Sequence, residues 1–224
     1  LTVVRDQKYG DDFLDVEEVY YAVSLSGKTF DIIGFDGGYM SSLEMAAALS
    51  PYGDYMVADE ERGIGWDYGV LAKTITEYPY VTPEELSKII VDGCYSKAQD
   101  SSWGKMINTT VIDLSRVAEV VQSFNAIAAQ MYDRTDTIDE LGALQRNLST
   151  AARCVGTSQI DVGSLAQSVL NDVGEPASLM NDALNEAIVY RAAGDYRKNM
   201  SGISVFYPQE VNEELISRYM NYTT

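Results

Sequence analysis

Apolar residues fall into two repeating patterns along this chain, helical spacing and short unbroken blocks, and these lay out most of its elements. Residues 11–25, DDFLDVEEVYYAVSL, set Phe13, Leu14, Val16, Val19, Tyr20 and Val23 at helical spacing behind an acidic first turn that complements the helix dipole. A stop at Gly27 follows. Residues 29–35 are β-rich and nearly continuous in apolar side chains, as expected of a strand covered on both faces, and they end in the turn Asp36-Gly37-Gly38. Ser41 and Ser42 then cap a helix carrying Leu43, Met45, Ala46, Ala47 and Leu49, which stops at Ser50-Pro51-Tyr52-Gly53. Tyr55-Met56-Val57-Ala58 predicts a second buried strand running into an acidic loop over residues 59–68. Strand, helix, strand implies a parallel pair with a right-handed crossover, and ligands of such sheets sit at the carboxyl ends of the strands. Asp36 and the 59–68 loop are therefore expected on one rim.

The rest reads as mostly helical. Thr82-Pro83-Glu84-Glu85 is a capped start with proline in the first position, leading into Leu86, Ile89 and Ile90. Leu114, Val117, Val121, Phe124, Ala128 and Met131 form one stripe, predicting a core-packing helix over residues 111–132. Further helical patterns cover residues 137–153, 162–172 and 176–193. A third strand is expected at 203–207, closed by Pro208, with a short helix over 210–220. With the strands at 29–35, 55–58 and 203–207 in one sheet, residues 1–224 form a single α/β domain: a mostly parallel sheet flanked by helices, with a helix-rich C-terminal part.

Composition narrows the function. The chain has 224 residues, 46% hydrophobic, with 16 tyrosines, which fits a folded protein rather than a disordered one. Its 34 acidic against 16 basic residues give a net charge of −18, which repels nucleic acid and anionic membranes. No apolar run is long enough to span a membrane. Cys94 and Cys154 match no zinc or redox spacing and read as free, buried thiols, with a single disulfide as the alternative. The histidine count is zero, which removes Ser-His-Asp triads, Cys-His dyads and His-ligated zinc unless another chain supplies the imidazole. The opening residues Leu1-Thr2-Val3-Val4-Arg5 resemble an internal segment, as if the chain were cut from a longer one.

Three segments, in order, resemble the clostripain-type cysteine peptidases. Residues 30–40, FDIIGFDGGYM, are similar to that family's nucleophile strand, which ends Phe-Asp-Ala-Cys-Leu-Met. Residues 54–61 through Gly65-Trp66-Asp67-Tyr68 resemble its next stretch, and residues 199–208, NMSGISVFYP, its C-terminal strand motif. The resemblance implies a caspase-like fold and a secreted or cell-envelope bacterial endopeptidase that cuts peptides and proteins after Arg or Lys. It also implies a partner, an N-terminal light chain carrying the catalytic His, which activation cleavage separates from the heavy chain in sequence but which stays bound to it. This sequence would then be the heavy-chain portion.

One residue departs from the pattern. The family's cysteine falls at Gly38, which has no nucleophile, so acylation cannot proceed in this form. Either a substitution inactivates a real protease, or the chain is a natural pseudoenzyme or binding module that holds basic side chains without cleavage. With a cysteine there, the thiolate would attack the scissile carbonyl and backbone N–H groups of the turn would hold the oxyanion. The family's specificity carboxylate carries over to Asp36, with Gly37 beside it; a carboxylate takes a guanidinium through two parallel hydrogen bonds. A turn-capping role is the alternative for Asp36. Asp67 is a second candidate for the same pocket, against a solvated-loop reading, and Glu60 and Glu61 are weaker ones. No metal site is assigned. Calcium, on which clostripain depends, remains an option for the acidic 59–61 loop, although no EF-hand spacing supports it.

Overall fold

This computed structural model describes residues 2–10, 12–209 and 213–222. The first two strands, β1 (Thr2–Asp6) and β2 (Asp12–Asp15), pair antiparallel, and α1 (Val16–Leu25) comes next without a loop. The helix expected over 11–25 therefore starts at Val16. Asp15 fixes that start: its carboxylate accepts the Glu18 N–H at 3.1 Å while the Glu18 carboxylate accepts the Asp15 N–H at 3.0 Å.

The expected strand, helix and strand then appear as β3 (Phe30–Gly34), α2 (Leu43–Leu49) and β4 (Gly53–Asp59). β3 and β4 are parallel, in register from Phe30↔Gly53 to Gly34↔Val57. α3 (Tyr68–Glu77) lies beyond them, and α4 (Pro83–Gln99) begins at the Thr82 and Glu85 capping box. Two elements correct the helical expectation. β5 (Asn108–Asp113) precedes a 3-10 turn, Leu114–Arg116, and α5 (Val117–Tyr132), so the stripe over 111–132 begins in a strand. After α6 (Ile138–Leu148), β6 (Gln159–Asp161), α7 (Val162–Ser168), α8 (Leu170–Val173) and α9 (Glu175–Ala187), the chain enters β7 (Ile188–Ala193) where helix was expected to continue to 193. β8 (Ser204–Phe206) and α10 (Glu213–Tyr222) complete the described chain; the first residues of the helix expected over 210–220 lie outside the described residues.

The main sheet runs β3-β4-β5-β7. Its β3/β4 pair is parallel, while β4/β5 and β5/β7 are antiparallel, so the sheet is mostly antiparallel rather than mostly parallel. Nor does β8 join it: β8 pairs with β6 in a separate two-stranded ribbon, tied to the α2 start through a Ser42↔Ser204 bridge. Both faces of the main sheet are covered. Val57 and Val111 point to one side, against Ile90, Val91, Cys94 and Ala98 of α4. Met56, Ala58 and Ile112 point to the other, into a larger core with Leu49 of α2, Val120 of α5 and Met180 of α9. Each fully buried Val, Leu, Ile or Met among them stabilises the fold by ~1.5–3 kcal/mol over its exposed state.

Candidate functional site

β3 and β4 end side by side, and at that end the turn leaving β3 meets the loop leaving β4. Asp36 is exposed, one residue beyond the buried Phe35. One of its carboxylate oxygens accepts the Trp66 N–H at 2.8 Å and the other accepts the Tyr68 hydroxyl at 2.8 Å. The carboxylate raises the Tyr68 phenol above its ordinary value, chiefly through that hydrogen bond. Lys97 holds the same loop from behind, its Nζ donating to the Gly65 and Trp66 carbonyls at 3.2 and 3.1 Å. The Trp66 ring lies so close over Gly34 that any Cβ at that position would collide with it. The expected convergence of Asp36 with the 59–68 loop is therefore present, carried by residues 65–68. Two donors leave a carboxylate with acceptor capacity on both oxygens.

Asp67 serves another end. Its carboxylate accepts the Val70 N–H at 3.0 Å as the cap of α3, while its neighbour Tyr68 reaches Asp36. Gly37 and Gly38 also behave differently from each other, and neither has a positive φ. A Cβ on Gly37 would meet nothing within 4 Å. A Cβ on Gly38 would lie 2.6 Å from Gly63 N and 2.8 Å from both Arg62 Cα and Glu61 O, all main-chain atoms. The position with positive φ in this turn is Tyr39, at +66°, whose N–H donates to Glu61 O at 2.9 Å and whose hydroxyl donates to Val155 O at 2.9 Å.

The 61–63 segment that crowds Gly38 is held in place by its own side chains. Glu61 pairs with Arg197 at 2.6 Å, and the Arg62 guanidinium sits over the Trp103 ring at 4.7 Å. Asp59, Glu60 and Glu61 do not form an exposed loop; each is at most 2% exposed. The Thr109 hydroxyl donates to Asp59, and the Asn108 side-chain amide donates to Glu60 at 2.6 Å. Burial pushes the Asp59 carboxyl up to about 7, against the Thr109 hydrogen bond and with help from Asp36. Burial likewise raises Glu60 well above its ordinary value, with neighbouring Asp161 adding to it. For Glu61 burial also raises the carboxyl, opposed by Arg197. All three carboxylates face inward, and among the described residues no group of three or more His, Cys, Asp or Glu side chains is gathered as a metal site would be. Their burial had a sequence signal: no turn residue separates β4 from Glu61, the first glycine being Gly63.

The two cysteines are both interior. Cys94 and Cys154 are free and buried. Burial pushes the Cys94 thiol up to about 12 and the Cys154 thiol higher still, so neither supplies a thiolate near neutral pH. Among the described residues no helix is long and apolar enough to cross a membrane.

Solved structures share this fold. A clostripain from Bacteroides thetaiotaomicron, determined with a peptide inhibitor, superposes with a TM-score of 0.67 at 19% identity, over 96% of this chain and 94% of that one. A cysteine protease from B. fragilis gives a TM-score of 0.70 at 16% identity, over 96% and 93%. A secreted cysteine protease from Bacteroides thetaiotaomicron, bound to an irreversible peptide inhibitor, gives 0.69 at 19% identity, over 96% of this chain and 62% of that one. No curated protein matches the chain. The sequence model of the Clostripain family matches residues 2–222, nearly the whole length. With the caspase-like α/β architecture that its structural neighbours share, this chain belongs to the clostripain family of cysteine proteases.

Proposed function

We propose that this chain is a single clostripain-family domain that holds an arginine or lysine side chain at Asp36 without cutting the peptide bond beside it. The observation carrying this reading is the packing at Gly38: the space a nucleophilic side chain would need is filled by the backbone of residues 61–63. A glycine fits there and a cysteine does not, unless the segment tied down by Arg197, Trp103 and Tyr39 moves. Asp36 keeps the features recognition requires. It is exposed, its position is fixed by Trp66 and Tyr68, and it retains acceptor sites for a guanidinium or an ammonium.

The partner in this reading is an upstream segment that adds to the sheet along β3. Among the described residues β3 pairs with β4 alone, leaving its outer edge open, and Phe30 at its start is 38% exposed. An open strand edge is a row of unpaired backbone donors and acceptors suited to another strand. Secretion by a bacterium completes the proposal, supported by the neighbour described as secreted.

The test is fluorescence anisotropy with labelled peptides ending in Arg, Lys or Gln. Arg and Lys peptides should bind, and Asp36→Asn should weaken them at least ~10-fold, about 1.4 kcal/mol. Equal affinity for the Gln peptide, or no effect of Asp36→Asn, overturns the recognition reading. In parallel, Gly38→Cys combined with the upstream His-bearing segment is assayed on an Arg-ending fluorogenic peptide. No turnover above the glycine form is expected; turnover would restore the reading of an inactivated protease.

A further inference from the structure

A second concavity, of about 740 Å³, opens between α7, α9 and the residues around Met200. Its lining is polar but nearly without charge. In a chain with 34 acidic and 16 basic residues, no carboxylate and no lysine lines it. Its charged residue is Arg191, whose guanidinium is already committed to the Asn108 side-chain oxygen and the Arg197 and Lys198 carbonyls at 3.1–3.2 Å. A cation would find no counter-charge there, and an anion would find a cation that is already occupied.

Four carboxamides do face the concavity: Gln167 from α7, Asn181 and Asn185 from α9, and Asn199 from the segment before β8. Gln167, Asn185 and Asn199 are exposed and Asn181 is half-buried. None of the four side chains hydrogen-bonds to another described residue, whereas Ser164, Ser168 and Ser201 around them bond inward, to Ala152, Leu165 and Asp161. A carboxamide offers donors and an acceptor in one plane, a match for the neighbouring hydroxyls of a sugar ring. Leu184, Ile188 and Met200 supply an apolar floor, suited to the C–H face of the same ring. The volume lies within the range of small-molecule sites.

We propose that this cleft binds a neutral saccharide of two or three rings, independently of the Asp36 site. The test is NMR titration of the 15N-labelled chain with lactose, maltotriose and N,N′-diacetylchitobiose up to ~10 mM, a concentration that detects millimolar binding. At least one should shift the side-chain NH2 signals of Gln167, Asn185 and Asn199. A charged heparin disaccharide should not. The combined variant Gln167→Ala, Asn185→Ala alters exposed positions only and should weaken the responding sugar at least ~10-fold, with Arg-peptide binding unchanged. Silence from all three sugars, or shifts that persist in the variant at the same affinity, overturns the proposal.

Discussion

Two acidic regions meet near the end of the parallel strand pair, and their carboxylates live in opposite conditions. Asp36 is exposed, with two donors and acceptor capacity to spare. Asp59, Glu60 and Glu61 are interior, surrounded by Thr109, Asn108 and Arg197, and pushed toward their protonated forms by burial. Equal formal charges thus serve different ends. The interior group lines the path of the backbone past Gly38, and the exposed one faces solvent. A buried charge costs several kcal/mol unless it is paired; Glu61 has Arg197 as its counter-charge, Asp59 and Glu60 have the neutral donors Thr109 and Asn108, and Asp36, exposed to water, keeps part of its acceptor capacity open.

The sharpest way to break this contrast is Arg197→Ala, which strands the Glu61 carboxylate in the interior. Chemical denaturation should show a loss of about 3–5 kcal/mol, whereas a loss below about 1 kcal/mol would mean that the pair does not hold the 61–63 segment. The pH dependence ranks next. A carboxyl whose folded value lies above its unfolded one binds more protons in the folded state, so stability falls as pH rises from the unfolded value near 4 through about 7. The Asp59 contribution is roughly 4 kcal/mol, and Asp59→Asn should flatten the slope of denaturation midpoint against pH over that window. An unchanged slope would remove Asp59 as its source.

A smaller effect separates the two glycines. Gly38→Ala should cost about 1–3 kcal/mol through overpacking, while Gly37→Ala, whose new methyl meets nothing within 4 Å, should leave the thermal midpoint unchanged. Equal midpoints for the two variants would mean that the 61–63 backbone yields readily. The smallest change in stability belongs to Asp36→Asn, about 1 kcal/mol or less. Set beside Arg197→Ala, it measures how far the exposed acid is spared from holding the fold together.

Much of this arrangement is legible in the sequence, for identifiable reasons. The parallel pair and the meeting of Asp36 with the 59–68 loop result from strand, helix and strand in close succession with sharp turns between them. β5 and β7 are hidden because each joins its neighbouring helix without a break: Leu114 continues the apolar stripe of α5, and Ile188 caps α9 while opening β7. Thr109-Thr110-Val111-Ile112 and Ile188-Val189-Tyr190 carry the β-branched and aromatic signal, but no glycine or proline marks the change of period. Because those two strands supply both antiparallel pairings of the main sheet, overlooking them also misjudges the sheet's direction. The capping role of Asp67 is within reach, since an Asp ahead of a helical run is a standard cap. The inward turn of Asp59, Glu60 and Glu61 is harder, because acids after a strand read by default as solvated.

The close approach at Gly38 has a historical corollary under the proposed reading. A lineage that loses its nucleophile can ordinarily regain it by reversing one codon. Once main chain occupies the vacated volume, that reversal yields a misfit rather than an enzyme, and selection must first relocate the 61–63 segment before a thiol has any value. Descendants are then free to diversify as recognition proteins, with little chance of drifting back into proteolysis.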